Sequence, residues 1–348
     1  MKICFLNDTH FGIRGDSQIF FDYSMKFFDE VLFPYLDENN IKTIIHAGDL
    51  MDRRKFVNFN ILHQIRERFI TKLHDRNINF HCILGNHDVY YKNTNRVNSI
   101  KELFGDDITI YDTPTVVDFD GLKLALLPWV NKENYDNSLK FIKTASAPIL
   151  VGHLELDGYE VLRGIKHQGG MNSSLFDRYE KVFSGHFHCK QSRHNVYYLG
   201  TQYQMTFSDI AETKGFHVFN TEDRNIDFIK NPHNMFHVLR YDDNDGPHKV
   251  TNMNFEYLEN CYVKLYIDCR KHPNSFDQFL EKMYSFNPAD VNIIENFDDS
   301  DPNDKELVDL GQDTITLINN EINSSEEIYD KDKMKKIIKD LYMESLSI

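Results

Sequence analysis

Three short apolar runs, Lys2–Leu6, Thr43–His46 and residues 80–84, are separated by two stretches whose apolar residues recur at helical spacing, and this alternation leaves few architectures open. Phe20, Phe27, Val31 and Leu32 mark a helix over residues 20–36. Phe59, Leu62, Ile65, Phe69 and Leu73 mark a second over residues 56–73, with these side chains on one face. Strand, helix, strand, helix, strand predicts a layered α/β sheet. Further along, residues 115–119 and 123–127 flank Asp120-Gly121, a good hairpin turn. Residues 108–111, 149–151 and 181–183 also read as strands. Residues 195–199, 215–220 and 225–229 are expected in a second, mainly antiparallel sheet, so that two sheets face each other with helices outside.

The pattern changes after Pro232. A strand over residues 263–267, a helix over 276–284 and a strand over 291–294 suggest a small β-α-β unit. Residues 295–306 are acidic, with too little apolar content to fold. Two helical patterns follow, Leu307 to Ile322 and Ile328 to Tyr342, joined at Asn323-Ser324-Ser325. The expected organisation is a main domain over residues 1–231, a small α/β cap over 232–294, an acidic linker over 295–306 and a helical hairpin over 307–348.

The net charge of −15 is uneven: the chain from Glu295 onward holds 15 acidic and 6 basic residues. An acidic average argues against a protein that coats DNA through a basic surface, but not against an enzyme that handles a polyanion through cations. Five scattered cysteines, with no C-x-x-C, read as reduced thiols; Cys189, beside His188, is expected to be buried and turned away. The Ile3–Leu6 run is too short for a signal peptide and no run approaches a membrane span, so a soluble, cytoplasmic protein with no membrane partner is expected.

Chemistry collects where the apolar runs stop. Asp8 and His10 follow the first, Asp49 and Asp52 the second, Asn86 and His87 the third; His153 follows residues 149–151, and His186 and His188 follow residues 181–183. In an extended segment residues i and i+2 share a side, so His186 and His188 are expected to aim together at one place. A single Asp or His at a strand end is as well explained as a turn former. Seven carboxylate, imidazole and amide ligands without a thiolate suit Mn²⁺, Fe²⁺ or Zn²⁺ in an open site rather than a closed structural zinc. They are too many for one ion with free positions and fit two, bridged by one carboxylate.

Read in order, D-x-H, G-D-x-x-D, G-N-H-D, G-H and G-H-x-H resemble the calcineurin-like metallophosphoesterase superfamily over the first two-thirds of the chain. Leu127-Pro128-Trp129 and Tyr198-Leu199-Gly200-Thr201 with Lys214-Gly215-Phe216 resemble its SbcD-type nucleases, most nearly the recombination nuclease subunits of T4-like phages. The resemblance implies that Asp8, His10, Asp49 and His188 hold one ion and that Asp49, Asn86, His153 and His186 hold the other. It implies His87 as the acid at the leaving oxygen, with Asp52 orienting it by a hydrogen bond. It further implies Mn²⁺, 3′→5′ exonuclease action on duplex DNA ends, endonuclease action on single strands, an SMC-like coiled-coil ATPase partner, a homodimer and, for a phage protein, the host cytoplasm. Arg14, Arg53, Arg54, Lys55, Lys92 and Arg96 are placed to meet phosphates, though solvated surface charge explains each equally well. The 56–73 helix is either part of a dimer face or an ordinary core-facing helix. A phosphomonoesterase or protein phosphatase with the same two-metal site is the competing reading; protein phosphatases usually carry G-N-H-E where this chain has Gly85-Asn86-His87-Asp88.

Overall fold

A computed structural model of the chain describes residues 1–248, 250 and 253–295, together with the isolated positions 322, 331, 333, 334 and 337. The expected acidic linker and helical hairpin lie outside the described residues, apart from those positions and Glu295, which ends a strand. Among the described residues no helix is long and apolar enough to cross a membrane.

Two compact units are present. The first, Met1–Tyr203 with Glu212–Pro232, begins with β1 (Lys2–Leu6), α1 (Gln18–Phe27) and α2 (Phe33–Glu38), the two helices joined through a π turn at Phe28–Leu32. Next come β2 (Thr43–His46), α3 (Phe59–Ile65) and α4 (Thr71–Asp75), again joined through a π turn at Arg66–Ile70, then β3 (Asn79–Ile83), α5 (Ser99–Phe104) and β4 (Thr109–Tyr111). The strands β5 (Thr115–Phe119) and β6 (Leu122–Leu127), the helix α6 (Tyr135–Thr144) and β7 (Ile149–His153) follow. A small hairpin, β8 (Glu160–Leu162) and β9 (Ile165–Lys166), precedes β10 (Lys181–Gly185), β11 (Gln191–Arg193), β12 (Val196–Tyr198), β13 (Gly215–Asn220) and β14 (Ile226–Lys230).

Most strands of the two larger sheets were legible in outline; their assignment to sheets was not. One six-stranded sheet runs β14-β13-β1-β2-β3-β4 and the other β11-β12-β10-β7-β6-β5. Both are mixed. In the second, β6, β7, β10 and β12 are mutually parallel, so the expectation of a mainly antiparallel sheet is corrected. Of the three strands expected there only β12 belongs to it, because β13 returns antiparallel along β1 and draws β14 after it. Both faces of β13 are covered: Phe219 lies in the core between the sheets and Phe216 packs on Phe27. A strand buried on both sides reads the same in either sheet, so the pattern could not choose.

Ile3, Phe5, Ile45, Ile83, Leu124, Val151, Phe183 and Phe219 fill the space between the sheets. On the outer face of the first sheet, Phe28 and Phe69 meet at 4.9 Å between ring centroids, and Phe11, Phe33, Phe80 and Tyr203 pack around them. Each such buried ring contributes about 1.5–3 kcal/mol. The π turn at Arg66–Ile70 holds one more residue than an α turn, which moves the core face upstream of it by one position. Ile61 and Ile65 are therefore buried, while Phe59, which the helical spacing groups with Ile65 and Phe69, is 82% exposed.

The second unit comprises Gln204–Ala211 and the chain from His233 on. Its three strands, β15 (Phe236–Asp242), β16 (Tyr262–Cys269) and β17 (Asp290–Glu295), form a parallel sheet, and α7 (Pro273–Tyr284) packs Phe276, Phe279 and Met283 on Tyr241, Val263 and Leu265. β16, α7 and β17 make a β-α-β unit; β15 is a strand the sequence pattern did not predict.

Candidate metal centre

The carboxyl ends of parallel strands are where open α/β sheets build their sites, and five of them converge here. Asp8 and His10 follow β1, Asp49 follows β2, Asn86 and His87 follow β3, His153 ends β7, and His186 and His188 follow β10. Asp8, His10 and His188 offer ligand atoms within 4.8 Å of one another, and so do Asp49, His153 and His186. His10 Nε2 is 4.0 Å from Asp8 Oδ1 and 3.8 Å from Asp49 Oδ2, so Asp49 stands between the two groups. His87 also lies within ligand reach of His10 and Asp49.

His186 and His188 do not act as one extended pair. β10 stops at Gly185, His186 takes a left-handed φ of 84°, and the two rings join different groups: His186 meets His153 and Asn86, whereas His188 meets Asp8. Asp8, His10 and Asp49 are left-handed too, at φ 47°, 48° and 57°. Such conformations cost about 1–3 kcal/mol in a non-glycine residue and persist where the surroundings impose them. Here they turn successive side chains at the strand ends toward the same space.

Two local arrangements fit a cation. His153 Nδ1 donates to the Ala47 carbonyl at 2.8 Å, which leaves the lone pair of the neutral ring on Nε2. That nitrogen faces Asn86 Oδ1 at 2.9 Å and Asp49 Oδ2 at 3.3 Å. Three acceptors so close repel unless positive charge sits among them. His10 is the other case: it is buried, and among the described residues neither ring nitrogen makes a hydrogen bond, although Asp52 Oδ1 is 3.3 Å from Nδ1. Burial disfavours its charged ring, yet Asp52, Asp49 and Asp8 outweigh burial and lift its pKa to about 9. His153 is also lifted to about 9, burial being overcome chiefly by Asp49. Burial pushes Asp8 up to about 6. Asp49 is held well below the usual carboxylate range, because the surrounding imidazoles, His153 foremost, overcome its burial. The pocket carries surplus negative charge that either protons or a cation can balance. Oxygen and imidazole donors without thiolate suit a divalent metal of the Mn, Fe or Zn kind.

The hydrogen bond between Asp52 and His87 uses the backbone: His87 Nδ1 donates to the Asp52 main-chain carbonyl at 2.7 Å, while the Asp52 carboxylate faces His10. Asp88 has a role that the motif alone did not reveal. It is fully buried, and its carboxylate accepts the main-chain N–H groups of Asp49 at 2.8 Å, Leu50 at 3.0 Å, Met51 at 3.1 Å and Gly85 at 2.8 Å. It ties the loop after β2 to the loop after β3. Its place as the last residue of G-N-H-D was the available signal. Gly85 is required beside it, since a Cβ there would lie 2.1 Å from Asp49 Oδ1 and 2.4 Å from the Asp49 nitrogen.

Cys189 is buried with its Sγ 3.7 Å from the Val161 carbonyl oxygen, away from the ligand groups. Arg53 pairs with Asp16 at 3.0 Å and Arg96 with Glu133; Arg14 lies over Phe20 and Lys55 over Tyr90. Among the described residues the buried Arg54 Nε has no hydrogen bond, and Lys92 is exposed.

The family model of the calcineurin-like phosphoesterases matches residues 1–190. Exonuclease subunit 1 of Enterobacteria phage T4 is 32% identical over 337 residues, 96% of this chain and 95% of its own length. The DNA double-strand break repair protein Mre11 of Sulfolobus acidocaldarius is 34% identical over 93 residues, 25% of this chain and 22% of that protein. A solved archaeal phosphodiesterase aligns with 66% of this chain and 99% of its own, at 15% identity and a TM-score of 0.31.

Proposed function

This chain belongs to the calcineurin-like phosphoesterase family, and from that premise we propose that it is the nuclease subunit of a DNA-processing complex, acting as a 3′→5′ exonuclease on duplex ends and an endonuclease on single strands. The convergence of seven oxygen and nitrogen ligands from five strand ends carries this reading. Asp8, His10, Asp49 and His188 would hold one ion, and Asp49, Asn86, His153 and His186 the other. Bound there, two divalent cations, Mn²⁺ by the family resemblance, would supply a water acidic enough to lose its proton near neutral pH and positive charge for the phosphoryl oxygens. The Asp52 carbonyl holds a proton on His87 Nδ1, which leaves Nε2 as the ring position facing the reaction; it gives a proton to the departing oxygen from the doubly protonated ring, a form that burial disfavours and the surrounding carboxylates favour. Similarity to a phage exonuclease subunit across nearly the whole chain supports DNA as substrate and a companion subunit. That companion is an SMC-like coiled-coil ATPase, engaged through residues 307–348. The protein works in the cytoplasm. The exposed Phe56 and Phe59, at 74% and 82%, support a homodimer that covers them.

Supplied with Mn²⁺ and linear duplex DNA, the protein is expected to shorten strands from their 3′ ends and to stop when a chelator is added in excess. Rapid hydrolysis of p-nitrophenyl phosphate with the DNA left intact would instead establish a phosphomonoesterase or protein phosphatase. Phe59→Glu is expected to convert a dimer to a monomer in light scattering; an unchanged mass would place the dimer contact elsewhere.

A further inference from the structure

The two ligand groups are tied to each other, the Asp8 and His10 N–H groups donating to the Gly48 and Asp49 carbonyls and the His186 N–H to the Asp8 carboxylate, and each also has a support of its own. Asp88 fastens the loops that carry Asp49 and Asn86. The loops that carry Asp8, His10 and His188 are fastened by a different part of the chain, Gly200–Tyr203 together with Lys214. The Asn7 amide donates to Asp8 Oδ2 at 2.5 Å and to the Gly200 carbonyl at 3.0 Å. The Tyr203 hydroxyl, buried, donates to the Thr9 carbonyl at 2.6 Å, between Asp8 and His10. The His188 carbonyl accepts the Thr201 N–H at 3.2 Å and the Lys214 ammonium at 3.1 Å. Lys214 is almost wholly buried, its side chain 4% exposed, and it pairs with Glu212 at 2.8 Å. A buried ammonium is costly unless its partners are fixed, so its stem and both contacts hold the His188 main chain in one place.

We propose that Lys214 and Tyr203 are positioning residues chiefly for the Asp8/His10/His188 ion, and that the Asp49/Asn86/His153/His186 ion depends on them far less. The inference rests on the proposed two-ion site. Backbone supports behind metal ligands typically govern affinity by about 10–100-fold. With Mn²⁺ titrated calorimetrically into the full chain, Lys214→Met is expected to weaken one of two ions by about that factor while the other changes far less. Electron paramagnetic resonance is expected to change from a coupled ion pair to an isolated ion at limiting Mn²⁺. Lys214→Arg restores part of the loss by returning a donor to the His188 carbonyl. Tyr203→Phe, which removes only a hydroxyl and preserves the buried ring, gives a smaller loss at the same ion and serves if Lys214→Met does not fold. Two ions bound at parental affinity in both variants overturn the inference, as does equal weakening of both ions, which reports general loosening. A parent chain that binds fewer than two ions overturns the two-ion site itself, and this inference with it.

Discussion

His87→Ala is expected to slow DNA cleavage by about 10²–10⁴-fold while two divalent ions still bind, since that is the range a positioned proton donor supplies. The His87 ring faces His10 edge-on at 4.7 Å, and its Nδ1 is committed to the Asp52 carbonyl, so the change removes Nε2 from the reaction without removing a proposed ligand. The main-chain N–H of residue 87 donates to Asp49 Oδ1 at 2.7 Å, and alanine keeps that bond. A general acid matters in proportion to how poorly the departing oxygen carries negative charge. A phosphodiester with a p-nitrophenolate leaving group should therefore lose less than about 10-fold. An equal loss on both substrates, or a loss of bound metal, would mean that His87 is a ligand or a structural support rather than the acid.

Asp88→Ala is expected to lower the unfolding free energy by about 3–5 kcal/mol, a large part of the ~5–15 kcal/mol that holds a domain together. Four main-chain N–H groups at a buried point would lose their acceptor, and each orphaned donor costs about 1–3 kcal/mol less whatever water can reach. Asp88→Asn keeps one carbonyl oxygen but turns an NH₂ group toward the remaining donors, so an intermediate loss is expected. Urea unfolding of the three proteins measures the series. Because these donors belong to Asp49 and Gly85 among others, metal affinity should fall along with stability. A variant with unchanged stability would mean that water replaces the carboxylate and that the two loops are held by other contacts.

Local pattern made much of this protein readable. Apolar runs too short for helices gave the strands, and helical spacing gave the layers between them. An Asp, Asn or His at each strand end gave the candidate ligands, because the parallel strands of the two facing sheets deliver their C-terminal loops to one shared edge. The structure brings all seven predicted ligands, with His87, to that edge. Other features depended on partners that no local pattern contains. β13 could have entered either sheet, since burial on both faces looks alike in both. Phe59 lies off the buried face because a single π turn shifted that face upstream of it. The divergence of His186 from His188 required a left-handed residue, whose cost is met only by the neighbours that surround it. Asp88, Tyr203 and Lys214 act on the main chain of residues far from them in sequence, and a main-chain carbonyl or N–H leaves no mark on the identity of the residue that carries it. Residue identity thus determined the chemistry and the layers, whereas contact across the fold decided which sheet each strand joined and what holds each ligand in place.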